Sequence, residues 1–160
     1  MADLPGLMPH YQALYDRAMT DDENARADVD RAHAGVLKRL RKRPVLLTPE
    51  NVRAFDVGHG RYTSELQAID VDLASLADVL RDVSRRLTDS GADQICALAL
   101  SITAVALQGQ GLALAERRRD TLARFAAFYR GFPGGDVPDL ENIVLLPRPS
   151  FGVARRRGGA

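Results

Sequence analysis

Tryptophan is absent from this chain of 160 residues, cysteine occurs once, and lysine occurs only at Lys38 and Lys42. One cysteine, Cys96, cannot close an internal disulfide. Its apolar neighbours predict a small buried hydrophobe, and a reducing, cytoplasmic setting. Scarce lysine beside abundant arginine is the usage expected of a GC-rich bacterial genome. Aromatic residues make up 6% of the chain, too few for the stacking platforms that bind bases. The formal net charge is +1, so no global field draws the chain to nucleic acid or to a membrane surface. The first residues, Met1 to Pro5, carry no basic stretch followed by an apolar run, so no signal peptide is expected.

Motifs for chemistry are equally sparse. There is no CxxC, no glycine-rich phosphate loop and no Ser/Cys–His–Asp set. Gly109-Gln110-Gly111 follows no strand, as a dinucleotide turn must. Asp30 and His33 have the spacing of a helical ligand pair, but a di-iron bundle uses Glu-x-x-His on two helices with further glutamates, and no Glu-x-x-His occurs in the sequence. Arg53 and His59 are spaced as in some helical ribonucleases, yet Gly58 and Gly60 bracket the histidine and predict a break there. The chain is therefore read as non-enzymatic, with no catalytic residue, cofactor or metal.

What the sequence does hold is helical period. From Arg61 to Leu87 the apolar residues fall at Tyr62, Leu66, Ile69, Leu73, Leu76, Leu80, Val83 and Leu87, alternating steps of four and three. Only a helix packed lengthwise on another helix needs that repeat. Gly91 then suits a left-handed position after the helix, with Asp89 or Ser90 as a cap for the next. No charged residue occurs from Gln94 to Ala115. Two stripes run through that stretch. One is Ile95, Leu98, Ile102, Val105, Gly109 and Leu112; the other is Cys96, Leu100, Thr103, Leu107, Gln110 and Leu114. A helix with two stripes has two neighbours, so this helix is expected at the centre and buried. The stretch is long enough to span a bilayer, but Gln94, Ser101, Thr103, Gln108 and Gln110 argue for a core helix, and a membrane role is not expected.

The expected fold is all-α. A long antiparallel helical hairpin, residues 61–88 and 92–130, closes at Gly91 and pairs Leu87 with Ile95, Val83 with Leu98 and Leu80 with Ile102. A third, N-terminal helix over 10–42 packs on it, with a possible break at Thr20-Asp21-Asp22-Glu23. Val45-Leu46-Leu47, between Pro44 and Pro49, reads as an extended docked connector, and Thr48-Pro49 as a helix start. The domain division is 1–135 for the bundle and 136–160 for an extended arm with a basic tail.

Two functional expectations follow. Long heptads leave apolar length that three helices do not cover, so the chain is expected to be a non-enzymatic subunit or adaptor of a protein assembly. Self-association is expected, with a partner interface at Phe125, Phe128, Tyr129 and the arm residues Ile143, Val144, Leu145 and Leu146. The alternative is a nucleic-acid-associated helical protein using the run Lys38, Arg39, Arg41, Lys42, Arg43 and the tail Arg155, Arg156, Arg157. A small enzyme with an unrecognised site is a further alternative.

Overall fold

The structure, a computed structural model, describes residues 9–89, 91 and 93–133, with the backbone alone for 9–12. Three α-helices dominate: α1 over Pro9–Lys42, α2 over Pro49–Asp89 and α3 over Gln94–Gly131, with a single 3-10 turn, Pro44–Leu46, between the first two. The all-α expectation holds. Cross-helix partners give the direction: Asp22 and Arg39 of α1 meet Arg118 and Tyr129 of α3 in the same chain order, so α1 and α3 are parallel. On α2, Glu65 meets Thr121 and Asp70 meets Arg118, in reverse order, so α2 is antiparallel to α3. Both α1 and α2 pack on α3, the central helix expected.

Local chemistry accounts for the ends. Pro44 stops α1. Thr48 Oγ1 accepts from Asn51 N at 3.2 Å and opens α2, with Pro49 at its first position. Gly91 takes φ +58° in the turn, as expected. The cap of α3 is Asp93, whose Oδ1 accepts from Ile95 N and Cys96 N, rather than Asp89; Ser90 lies outside the described residues. Pro44–Leu46 is helical rather than extended, and Val45 is 81% exposed, so the connector is not docked. No break occurs at Thr20 to Glu23, because Asp22 points inward to an ion pair.

The expected break at Gly58-His59-Gly60 is also absent, and α2 runs through it for 41 residues. The reason at Gly58 is space. A Cβ there would lie within 2.5 Å of Phe128 Cε2 and closer still to Cζ. Glycine is present so that the Phe128 ring can rest on the α2 backbone, rather than to turn the chain. A Cβ at Gly60 would meet nothing within 4 Å.

The α2 seam is buried as its period predicts: Tyr62, Ile69, Leu73, Leu76, Leu80 and Val83 are all interior. The α3 seam is not the expected one. Its buried residues include Gln108, Gly111, Ala115, Arg118, Leu122, Phe125 and Tyr129, alternating steps of three and four. This seam runs between the two stripes expected from sequence, roughly a residue's rotation, or ~100°, from each. The pairing shifts with it. Tyr62 stacks on Phe125, ring centroids 5.1 Å apart, whereas continuing the expected pairing of Leu80 with Ile102 along the hairpin sets Tyr62 opposite Asp120. Two apolar clusters result. One joins Val29, Val36, Tyr62, Leu122, Phe125 and Tyr129. The other joins Tyr15, Leu76, Ala77 and Leu80, with Met19, Leu107 and Leu114 packed against them.

Between the clusters lies Arg118, 4% exposed. Its Nε donates to Asp22 Oδ1 of α1 at 2.6 Å and its Nη1 to Asp70 Oδ1 of α2 at 2.5 Å. Asp22 also pairs with Arg26 at 2.8 Å. One level below, Glu65 Oε1 accepts from Thr121 Oγ1 and from Arg124 Nη2.

Two contrasts test this packing by urea denaturation. Gly58→Ala is expected to destabilise by about 1–3 kcal/mol through overpacking against Phe128, whereas Gly60→Ala stabilises by up to about 1 kcal/mol through helix propensity. Arg118→Leu leaves buried Asp22 with only the half-exposed Arg26 of its own helix as an ion-pair partner and should cost about 1–3 kcal/mol; adding Asp22→Leu should recover part of that loss.

Candidate functional site

The inward turn of the Gln108–Tyr129 seam has an outward consequence. Helix α3 starts with four large apolar side chains on its solvent side: Ile95 is 84% exposed, Leu98 63%, Ile102 62% and Val105 39%. Ala99, Ala106, Gly109 and Ala113 share that side and are exposed too. Cys96, expected in the core, is exposed. The expectation that the uncharged stretch Gln94 to Ala115 is buried is overturned over its first part: none of residues 94–107 is buried. The physical cause is Arg118. A buried guanidinium must face its carboxylates, and on a rigid helix that choice rotates every position above it.

The stripe is bounded. It ends at the exposed charged residues Glu116, Arg117 and Asp120. The exposed face of α2 differs in kind. Val71 and Val79 are solvent-facing, but Asp78, Arg81, Asp82, Arg85 and Arg86 form ion pairs along the same helix. The described surface therefore carries one long uncharged apolar strip, on α3. By length and composition α3 could cross a membrane, and most of its uncharged stretch is not buried by the other helices.

The residues expected at a partner interface are placed differently. Phe125 and Tyr129 are interior, and Phe128 is half-buried over Gly58. They belong to an aromatic cluster with Phe55, His59, Tyr62 and Phe132. The Tyr129 hydroxyl is 2.6 Å from His59 Nδ1. Burial, reinforced by the charge of Asp30, pushes the Tyr129 phenol up to about 12. His33 turns its ring towards Tyr129, 4.9 Å between centroids, and no group of three or more potential metal ligands occurs among the described residues. Arg53 and His59 do lie on one helix, contrary to expectation, but six residues apart on a helix they point in different directions. Ile143, Val144, Leu145 and Leu146 lie outside the described residues.

The basic run ends α1. Arg39 is engaged: its Nη2 donates to the carbonyls of Tyr129 and Phe132 at 2.6 and 2.8 Å, closing the C-terminus of α3. Arg39, Lys42, Arg43 and Arg130 converge on a hollow of about 550 Å³ floored by Leu46, Phe132 and Pro133. Arg130 is paired with Asp28, and the pairing holds that carboxyl below its usual range. Lys38 and Arg41 are exposed. Arg155, Arg156 and Arg157 lie outside the described residues. Comparisons with protein-family models, curated proteins and solved structures found no match for this chain.

Because the Tyr129 phenol is held above its free value near 10, the folded chain keeps a proton that the unfolded chain loses between about pH 10 and 12. Stability is therefore unaffected by this group below pH 10 and falls between 10 and 12, by up to about 3 kcal/mol. Tyr129→Phe should lose about 1 kcal/mol at neutral pH with its hydrogen bond. Its thermal stability should be flatter than wild type over pH 10–12.

Proposed function

We propose that this protein is a non-enzymatic helical subunit of a protein assembly, and that its contact surface is the outer stripe of α3. One observation carries the reading. The chain buries a seam containing Gln108, Gly111, Arg118 and Thr121 while leaving Ile95, Leu98, Ile102 and Val105 in solvent. A fold stabilised only within itself would gain by the opposite choice, since each large apolar side chain buried is worth about 1.5–3 kcal/mol. A continuous exposed apolar strip with a polar border is the usual mark of a binding surface. This reading moves the partner surface from Phe125, Phe128 and Tyr129 to the other half of α3. The arm residues 143–146 remain a proposed accessory contact.

A second reading, phosphate contact, is supported by the convergence of Arg39, Lys42, Arg43 and Arg130 on one hollow. The two readings separate in one experiment. The full chain, tagged and expressed in bacterial cells, is sized in cleared extract with and without nuclease. The assembly reading predicts a species larger than the 17.5-kDa chain that survives nuclease and collapses to monomer size in Leu98→Glu. A species that collapses with nuclease and ignores Leu98→Glu would support the phosphate reading instead. Monomer size in every case would contradict both.

A further inference from the structure

We propose that the end of the bundle remote from the α3 stripe docks on a bilayer surface rich in anionic phospholipid, with Val45 and Leu47 entering the headgroup layer and the basic run of α1 facing the lipid phosphates. This surface is separate from the stripe and independent of the assembly reading. Since α1 and α3 are parallel and α2 is antiparallel, the C-terminus of α1, the Pro44–Leu46 turn, the start of α2 and the C-terminus of α3 share that end. The net charge of +1 hides a local excess there. Lys38, Arg39, Arg41, Lys42, Arg43 and Arg53 stand against one acid in the span 38–53, Glu50. All six cations are exposed, and none is ion-paired among the described residues. Arg39 donates to the α3 carbonyls and keeps its charge. An unneutralised cluster of this kind makes a local field that collects anions.

Charge alone would suit nucleic acid equally, and the connector separates the two. Val45 is 81% exposed and Leu47 53%, between Pro44 and Pro49, which are exposed as well. The turn is pinned with these side chains outward. Leu46 N donates to Arg43 O and Leu47 N to Pro44 O, both at 3.0 Å, and Asn51 Nδ2 donates to Leu46 O at 2.8 Å. The two prolines have no N–H to satisfy. Backbone groups bonded within the protein are what a segment entering a water-poor layer requires. A rigid apolar tip in a collar of cations gains twice at an anionic bilayer: the tip leaves water, and the cations meet acidic headgroups. Nucleic acid would reward the cations alone. Docked by this end, the bundle holds its stripe clear of the lipid, since Val105 lies 26 residues from Gly131 along α3, or about 39 Å.

The test uses the purified full-length protein and two readouts. In co-sedimentation, the chain should bind vesicles of mixed phosphatidylserine and phosphatidylcholine, bind phosphatidylcholine alone at least about tenfold more weakly, and release as salt rises. Val45→Ser with Leu47→Ser should weaken binding about tenfold or more, and so should Lys42→Gln with Arg43→Gln. Helical circular dichroism should be unchanged in both, because all four side chains are exposed. Leu98→Glu should bind as wild type. The second readout exploits the absence of tryptophan from the chain. Val45→Trp supplies a single indole whose emission should shift to the blue on the mixed vesicles and be quenched by a spin label near the headgroups. Leu98→Trp should show neither effect.

Vesicle binding that is lost in Leu98→Glu and kept in the serine pair would move the contact to the α3 stripe and overturn the proposal. Retention of a labelled oligonucleotide at low salt, indifferent to the serine pair and without vesicle binding, would assign the basic run to nucleic acid and overturn it too. Absence of vesicle binding, with a melting temperature lowered by the serine pair, would show that the tip is covered by another part of the same chain, and would overturn it as well.

Discussion

A single guanidinium ties the three helices together. Arg118 sits on α3 with almost no access to water and reaches Asp22 on α1 and Asp70 on α2. Asp22 is equally enclosed, whereas Asp70 keeps about half of its side chain in solvent. Taking such charges out of water is expensive, and the cost is offset only when the geometry is kept. That requirement removes the rotational freedom of α3. The neighbouring apolar contacts are tolerant of small slips, since Leu, Val and Ala can repack. A buried ion pair shared among three helices cannot slip by a residue without stranding a charge.

The consequences spread along the helix in both directions. Below Arg118, the rotation delivers Leu122, Phe125 and Tyr129 to the aromatic cluster and sets the Phe128 ring on Gly58. Above it, Gln108, Gly111 and Ala115 face inward. The same rotation leaves Ile95, Leu98, Ile102 and Val105 outside. Core and surface are thus two results of one constraint, and the apolar stripe is the complement of a polar interior. The stripe then offers an association surface whose cost, a few large residues in water, falls on the isolated chain alone.

How much of this could be read beforehand depended on whether a seam was made of apolar residues. On α2 it is, and Tyr62 to Val83 were legible position by position. On α3 the buried seam contains Gln108, Gly111, Arg118 and Thr121. A reading that follows hydrophobicity passes over it to the more apolar stripe beside it. The 3–4 spacing of the true seam was present, but arginine at its centre looked like surface. Asp22 reads as part of a helix break for the same reason, because a charge is normally solvated. Gly58 and Gly60 look alike in sequence, and only the position of Phe128 separates a packing glycine from an incidental one. The stripe that forms the candidate site was legible as a heptad pattern. Its outward direction was not, because that direction is set by the partners of Arg118 on two other helices.

Nuclear Overhauser contacts among methyl and aromatic protons of the labelled full-length chain test the rotation of α3 most directly. The account predicts contacts between the Tyr62 and Phe125 rings, and from the Tyr15, Leu76 and Leu80 cluster to Leu107. Contacts from Leu80 to Ile102 and from Val83 to Leu98, with none between Tyr62 and Phe125, would contradict it.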